Sequence, residues 1–263
     1  MITSLQNQRI KDVVKLANAR ERRKQNLFVI EGARELSLAL SGGYFVRNLF
    51  VCDELLSGAG EELSAKLDVP IEKVNMEVFR KMAYREESDG IIAVSEPRYL
   101  PLMDIRLSEN PFVIVLEAVE KPGNLGAVLR TADAARVDAV IVCDPKTDIY
   151  NPNTIRSSIG CVFTQQIAVC TSDEALQWLK QAGIHVFAAE LTASEWYHET
   201  DFTQPSAIVM GTEADGLTDY WLRNADRRIK IPMRGYIDSL NVSVSTAILT
   251  FEAMRQRIKA MDN

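Results

Sequence analysis

Residues 121–135 read KPGNLGAVLRTADAA and follow directly on the apolar run PFVIVLEAV. A strand, a glycine-containing turn and a helix in that order is the usual layout of a phosphate cradle, where helix-terminal N–H groups meet an anion. As a dinucleotide turn it fails, because its G-x-x-G lacks the first glycine pair. An arginine, Arg130, stands one helical turn past Gly126. Local structure offers a simpler account, in which Asn124 caps the helix and Arg130 pairs with Asp133 at i+3. Two later loops invite the same question. MGTEADGLTDYW leaves the strand SAIVM at Gly211 and carries Glu213 and Gly216 ahead of another helix. IPMRGYIDSLNVSVSTAI leaves the strand RIKIPM and enters the final helix near Asn241. Glu213 at a helix dipole, with Ser239 or Asn241 as caps, would explain each loop singly. It does not explain three such loops, in order, at the ends of strands, where ligands of parallel sheets collect.

The elements that must carry these loops are legible as patterns. FVIVLEAV, DAVIVC, VFTQQIAV, HVFAAEL, SAIVMG and RIKIPM are apolar without polar alternation. Such strands are buried on both faces, which predicts an α/β domain built on a parallel sheet covered by helices. Ahead of them, LFVIE, VRNLFVC, PIEKVN and GIIAVS alternate with helical patterns and predict a small α/β domain. EPRYLPLMDIRLSENP, with Pro97, Pro101 and Pro111, separates the two. The division expected is therefore 1–98, a linker 99–110, and 111–263. In the final helix Val244, Ala247, Ile248, Phe251, Met254 and Ile258 form one apolar stripe.

Composition narrows the partners. The chain of 263 residues has a net charge of −6, which taken whole argues against a nucleic-acid partner. Distribution reverses that reading. Residues 1–34 hold eight lysines and arginines against three acidic residues, and Ile10, Val13, Val14 and Ala17 at helical spacing bury one face of a basic helix. Arg9, Lys11, Arg22, Arg23 and Lys24 are the candidate nucleic-acid contacts on this arm. The four cysteines, Cys52, Cys143, Cys161 and Cys170, read as buried free thiols. With two histidines, His185 and His198, and no H-E-x-x-H, no metal site is expected, and His185 reads as a strand residue. No apolar run approaches the roughly 20 residues that cross a bilayer. A cytoplasmic protein without membrane contact is expected.

N-L-G-A-V-L-R-T-A at 124–132, V-M-G-T-E-A-D-G-L at 209–217 and I-P-M…S-L-N-V-S-V-S-T-A at 231–247 resemble the three signature motifs of the SpoU/TrmH-like RNA ribose 2′-O-methyltransferases, in the SPOUT superfamily. NPNTIRSSIGCVF at 151–163 is similar to that family's middle region, and 6–32 to its N-terminal substrate-binding domain. The resemblance implies a deep trefoil knot in the C-terminal domain, an RNA-substrate-binding domain ahead of it, and S-adenosylmethionine as methyl donor. By position, Gly211, Ile231 and Leu240 would contact the cofactor. It further implies a homodimer through the knotted domain, with the active site completed at the subunit interface. Arg130 would act on the hydroxyl, with Asn124, Glu213, Ser239 and Asn241 organising the site. A guanidinium stays protonated, so positioning a phosphate and stabilising an alkoxide suit Arg130 better than a base role.

A binding-only RNA module would need a broken motif, and a nicotinamide enzyme would need the missing glycine pair. Base methylation by a knotted relative is the nearest alternative, yet N-x-G-x-x-x-R and S-L-N favour ribose chemistry. The RNA is expected to be ribosomal in preference to transfer RNA, on the strength of the N-terminal domain.

Overall fold

The computed structural model describes residues 1–85, 88–212, 214–236 and 239–261. They fall into two compact units, one of Met1–Arg98 with Asp148–Thr164, the other of Tyr99–Thr147 with Gln165–Asn263.

In the first unit the basic arm forms two helices. Asn7 accepts from the Arg9 N–H to start α1 (Gln8–Lys15), and Asn18 does the same through Arg20 for α2 (Ala19–Gln25). Each cap satisfies a donor the helix leaves open, which is why the chain breaks between them. The buried stripe is Ile10, Val13 and Leu16, while Ala17 is exposed because α1 has ended before it. There follow β1 (Phe28–Glu31), α3 (Ala33–Ser41), β2 (Val46–Val51), α4 (Gly58–Lys66), β3 (Ile71–Lys73), α5 (Met76–Met82) and β4 (Ile91–Ser95). The sheet order is β1-β4-β2-β3, with β4 antiparallel to both its neighbours and β2 parallel to β3. Phe28 stacks on Tyr150 at 4.3 Å between ring centroids, with Tyr44 edge-on to both rings, so residues 148–164 share this core.

Arg22, expected among the RNA contacts, is instead an internal clamp. It is 5% exposed, donates to the carbonyls of Leu16 at 2.7 Å and Ala17 at 2.9 Å, and pairs with Asp148. Those carbonyls lie where the chain turns from α1 into α2, and a planar guanidinium reaches several acceptors at once.

The second unit carries β5 (Phe112–Glu117), α6 (Pro122–Ala134) and β6 (Ala139–Cys143). After α7 (Pro152–Ser157), which belongs to the first unit, come β7 (Ile167–Cys170), α8 (Ser172–Gln181), β8 (His185–Ala189), β9 (Glu195–Trp196) and β10 (Ser206–Met210). Finally α9 (Asp219–Asn224), β11 (Arg227–Lys230) and α10 (Val242–Met261) close the chain. Seven strands pair in the order β7-β6-β5-β10-β8-β11-β9, all parallel. Val113, Val115, Ile141, Val186, Ala207 and Val209 are fully buried, as apolar strands without alternation require. The run VFTQQIAV is a strand only from Ile167, because Cys161–Phe163 forms a 3₁₀ turn in the first unit. His185 opens β8 and is exposed. Cys52, Cys143 and Cys161 are buried free thiols and Cys170 is partly buried.

α10 packs against α6 and β10 through Thr246, Leu249, Thr250 and Ala253, which are buried. The apolar stripe faces outward: Val244, Phe251 and Ile258 are each nearly half exposed. Near its end Arg257 donates to the carbonyls of Asn110, Pro111, Phe202 and Gln204 and lies 5.1 Å from the Phe112 ring centre.

Because Asp148 is itself partly exposed, removing its partner does not leave a fully buried charge. Arg22→Ala should therefore lower stability by about 2 kcal/mol, the scale of lost charge-assisted hydrogen bonds, while Arg23→Ala and Lys24→Ala should stay within about 0.5 kcal/mol. Urea denaturation followed by circular dichroism reads both, and equal stability of all three variants would remove the clamp.

Candidate active site

Three loops leave the carboxyl ends of β5, β10 and β11, and each is held by a specific contact. β5 ends on Glu117, a 4% exposed carboxylate that accepts from the Thr218 N–H at 2.8 Å and the Thr218 hydroxyl at 2.6 Å. The loop after β10 is thereby tied to the neighbouring strand. Inside it the Thr212 N–H donates to the Gly216 carbonyl at 3.0 Å and the Gly216 N–H to the Thr212 carbonyl at 3.1 Å. Glycine is required at 211: a Cβ there would lie 2.1 Å from the Gly216 carbonyl carbon and 2.4 Å from the Leu217 nitrogen.

The stretch that looked like a glycine turn is mostly helix. α6 starts at Pro122 with Lys121 as its N-cap residue, so Gly123, Asn124 and Gly126 lie in its first turns. Proline is pre-set for that first helical position. Asn124 is thus not the cap; it faces the start of α10. Asn241 Nδ2 donates to Asn124 Oδ1 at 3.2 Å, while Asn241 Oδ1 accepts from the Ser243 N–H at 2.9 Å and the Ser243 hydroxyl at 2.6 Å. One side chain therefore caps α10 and joins the first and third loops.

A cavity of about 450 Å³ opens over these strand ends. Gly211, Ile231, Ser239 and Leu240 line it, together with apolar Met210, Leu217 and Leu249. A second cavity of about 300 Å³ is lined by Glu120, Lys121 and Asn124. The two share Met210, Gly211, Thr212, Ala214 and Val242 as a common wall. The larger has the size and the mixed apolar and polar wall of a small-molecule site.

Arg130 is exposed on α6 and lines neither cavity. Among the described residues no ion pair joins it to Asp133, which accepts instead from Gln165 Nε2 at 3.3 Å. Glu213 lies outside the described residues. On the basic arm Arg9 is 71% exposed and pairs with Glu72, and Lys11, Arg23 and Lys24 are exposed. Sequence reading missed Glu117, which interrupts an apolar strand at its last residue, and Glu190 and Thr192, which line the larger cavity directly after β8. A charge at the carboxyl end of an apolar strand was the available signal for both carboxylates.

Fold and site together define an α/β enzyme domain that receives a small organic ligand over the carboxyl ends of parallel strands. The comparisons make this specific. Residues 111–251 match the SpoU rRNA Methylase family and residues 7–93 the MRM3-like substrate binding domain. The 23S rRNA (guanosine(2553)-2′-O)-methyltransferase RlmP of Bacillus subtilis is 31% identical over 252 residues, 95% of this chain and 97% of the relative. A crystal structure of an RNA 2′-O ribose methyltransferase superposes with a TM-score of 0.86 at 39% identity, covering 98% of this chain and 99% of that one. An AdoMet-bound rRNA methyltransferase from Sinorhizobium meliloti does so at 0.89 and 32%, covering 97% of each chain. The chain belongs to the SpoU rRNA methylase family.

Gly211→Ala must push Gly216 and Leu217 out of place, since the clash is with backbone and not with a movable side chain. Affinity for S-adenosylmethionine should fall at least about tenfold in calorimetry, a loss of roughly one well-placed polar contact. Unchanged affinity would mean the Gly211–Leu217 backbone is not part of the cofactor site.

Proposed function

We propose that this protein is an S-adenosylmethionine-dependent methyltransferase that modifies a ribose 2′-hydroxyl of ribosomal RNA. The observation that carries the reading is the pair of cavities with one common wall at Gly211, Thr212 and Val242. Methyl transfer needs donor and acceptor in line at one point, and adjoining pockets meet that need.

The residues present fit the cofactor. Gly211, Ile231 and Leu240 would hold it in the larger cavity, where the tight approach of Gly211 to Gly216 leaves backbone groups on the wall. When bound, S-adenosylmethionine supplies a methyl group made electrophilic by its sulfonium. Asn124 and Asn241, already hydrogen-bonded to each other, orient the acceptor ribose beside the common wall, with Ser239 and Glu213 completing the set. As its proton passes to water or a neighbouring acceptor, negative charge builds on the 2′-oxygen, whose electron pair would form the new O–C bond while the methyl–sulfur bond breaks and leaves a neutral thioether. Arg130 keeps the target phosphate in place and stabilises the forming alkoxide, a task suited to a group that holds its charge.

Among the described residues Arg130 lines neither of the two cavities, which supports a homodimer whose partner brings it to the site. The outward stripe of Val244, Phe251 and Ile258 on α10 supports the same assembly, as exposed apolar strips mark contact surfaces. The strand order and the return of α10 against α6 support the deep trefoil knot that the sequence motifs imply. Residues 1–98 act as the RNA-docking module, with 148–164 packed into the same unit, and the rest of the chain from 99 onward acts as the catalytic module, the expected linker 99–110 included, working in the cytoplasm where ribosomal RNA is found.

In single-turnover assays at saturating RNA, Arg130→Ala should slow methylation at least about a hundredfold, the effect of losing one preorganised charge-stabilising donor. Cofactor binding should persist, and Arg130→Lys should rescue in part. Because the defect is carried by the partner, mixing Arg130→Ala with Asn124→Ala chains should rebuild intact sites and restore about a quarter of wild-type activity by random pairing. An inactive mixture of demonstrated heterodimers would place Arg130 in its own chain's site.

Counterion release gives a separate check on the arm. Replacing Lys11, Arg23 and Lys24 together by Ala should weaken RNA binding and reduce the salt slope by about two to three units. An unaltered slope would make these residues ordinary solvated surface.

A further inference from the structure

The wall of the larger cavity contains a carboxylate that the transfer chemistry described above does not use. Glu190 follows β8 immediately, and its backbone is fixed where its N–H donates to the Ile229 carbonyl at 3.0 Å. The side chain is 11% exposed. Its Oε2 accepts from the Thr192 hydroxyl at 3.1 Å. Its Oε1 is buried and, among the described residues, has no hydrogen-bond donor. Arg228 Nη1 comes within 3.3 Å of that oxygen but out of bonding line, from a guanidinium that is 54% exposed. The other described carboxylate of the wall, Asp215, is exposed to water.

Leaving a carboxylate oxygen buried and unsatisfied costs free energy, so a group that supplies a donor at that point binds with advantage. An ionised carboxylate accepts only, and Thr192 already occupies one oxygen. A hydroxyl or amine donor on a bound molecule would satisfy the second oxygen. In nucleotide-binding α/β folds, an acidic residue at a strand's carboxyl end takes the ribose hydroxyls, which fits the place of Glu190 in the sheet. Apolar Ile231, Leu240 and Leu249 on the same wall suit an adenine face and offer nothing to a diol.

On the reading that this cavity holds S-adenosylmethionine, we propose that Glu190 is the residue that binds the ribose hydroxyls of the cofactor and makes the site selective for a ribonucleoside donor. Thr192 holds the carboxylate in position by its hydroxyl.

Calorimetry on the full chain tests this with S-adenosylhomocysteine, its 2′-deoxyribosyl analogue and methylthioadenosine, which keeps the ribose but lacks the amino-acid ammonium. Wild type should bind the deoxy analogue about tenfold more weakly than the parent, as expected for one lost hydrogen bond to a charged group. Glu190→Gln should bind the parent about tenfold more weakly and discriminate little between parent and analogue. It should carry the same deficit toward methylthioadenosine. Arg228→Gln, which removes the ion pair alone, should bind as wild type. Full affinity in Glu190→Gln, discrimination retained in that variant, or a deficit that vanishes with methylthioadenosine would each overturn the assignment. So would an Arg228→Gln variant that reproduces the loss. If wild type binds none of the three ligands, the cofactor reading of the cavity itself fails, which is a different result.

Discussion

Every functional contact in the catalytic unit depends on seven strands running the same way in a sheet with a buried centre. Parallel strands send all their carboxyl ends to one edge, so loops far apart in sequence emerge side by side. Gly211 after β10 and Asn124 after β5 are separated by most of a hundred residues yet wall the same cavity, because β10 pairs with β5. The central place of β10, between β5 and β8, also explains why its loop is the common wall. Glu117 converts this neighbourhood into rigidity by reaching from one strand end to the loop of the next.

For Asn241 the simpler structural account holds, and it leaves room for the proposed role. Asn241 does cap the last helix, through Ser243, and its remaining amide protons are what meet Asn124. A cap is a good host for a site residue, since its rotamer is already fixed by the helix it starts. Arg22 shows the reverse case. It sits among exposed basic residues, but the turn between α1 and α2 leaves carbonyls that need a donor, and Arg22 supplies it from inside.

What could be read from the sequence was what repeats locally. Unbroken apolar runs gave the buried strands, and the ordered loops with Gly211, Asn124 and Asn241 pointed to the candidate site, because both signals lie within a dozen residues. Contacts that join distant segments left no such trace. Residues 148–164 pack with the first unit through Tyr150 against Phe28, and nothing in NPNTIRSSIG announces an aromatic partner 122 positions earlier. The stripe on α10 was visible as a pattern, but periodicity cannot say which side of a helix the core takes; Thr246 and Thr250 took it, Thr246 with its hydroxyl turned back onto the Val242 carbonyl, Thr250 with a buried hydroxyl that has no partner among the described residues. Glu190 was hidden for another reason: one acidic residue at a strand end has many ordinary uses until a cavity is seen beside it.

α10 is held at both ends. At its start Asn241 is tied to α6 by the carboxyl edge of the sheet, and near its finish Arg257 grips four carbonyls around the amino ends of β5 and β10. Twenty residues of helix span about 30 Å, so the element is a stiff strut running from the carboxyl edge of the sheet to its amino edge beside β10. A strut pinned at both ends transmits a sideways load to its anchors instead of bending away from it. A load on its outward face is therefore borne by Asn241 at one end and Arg257 at the other.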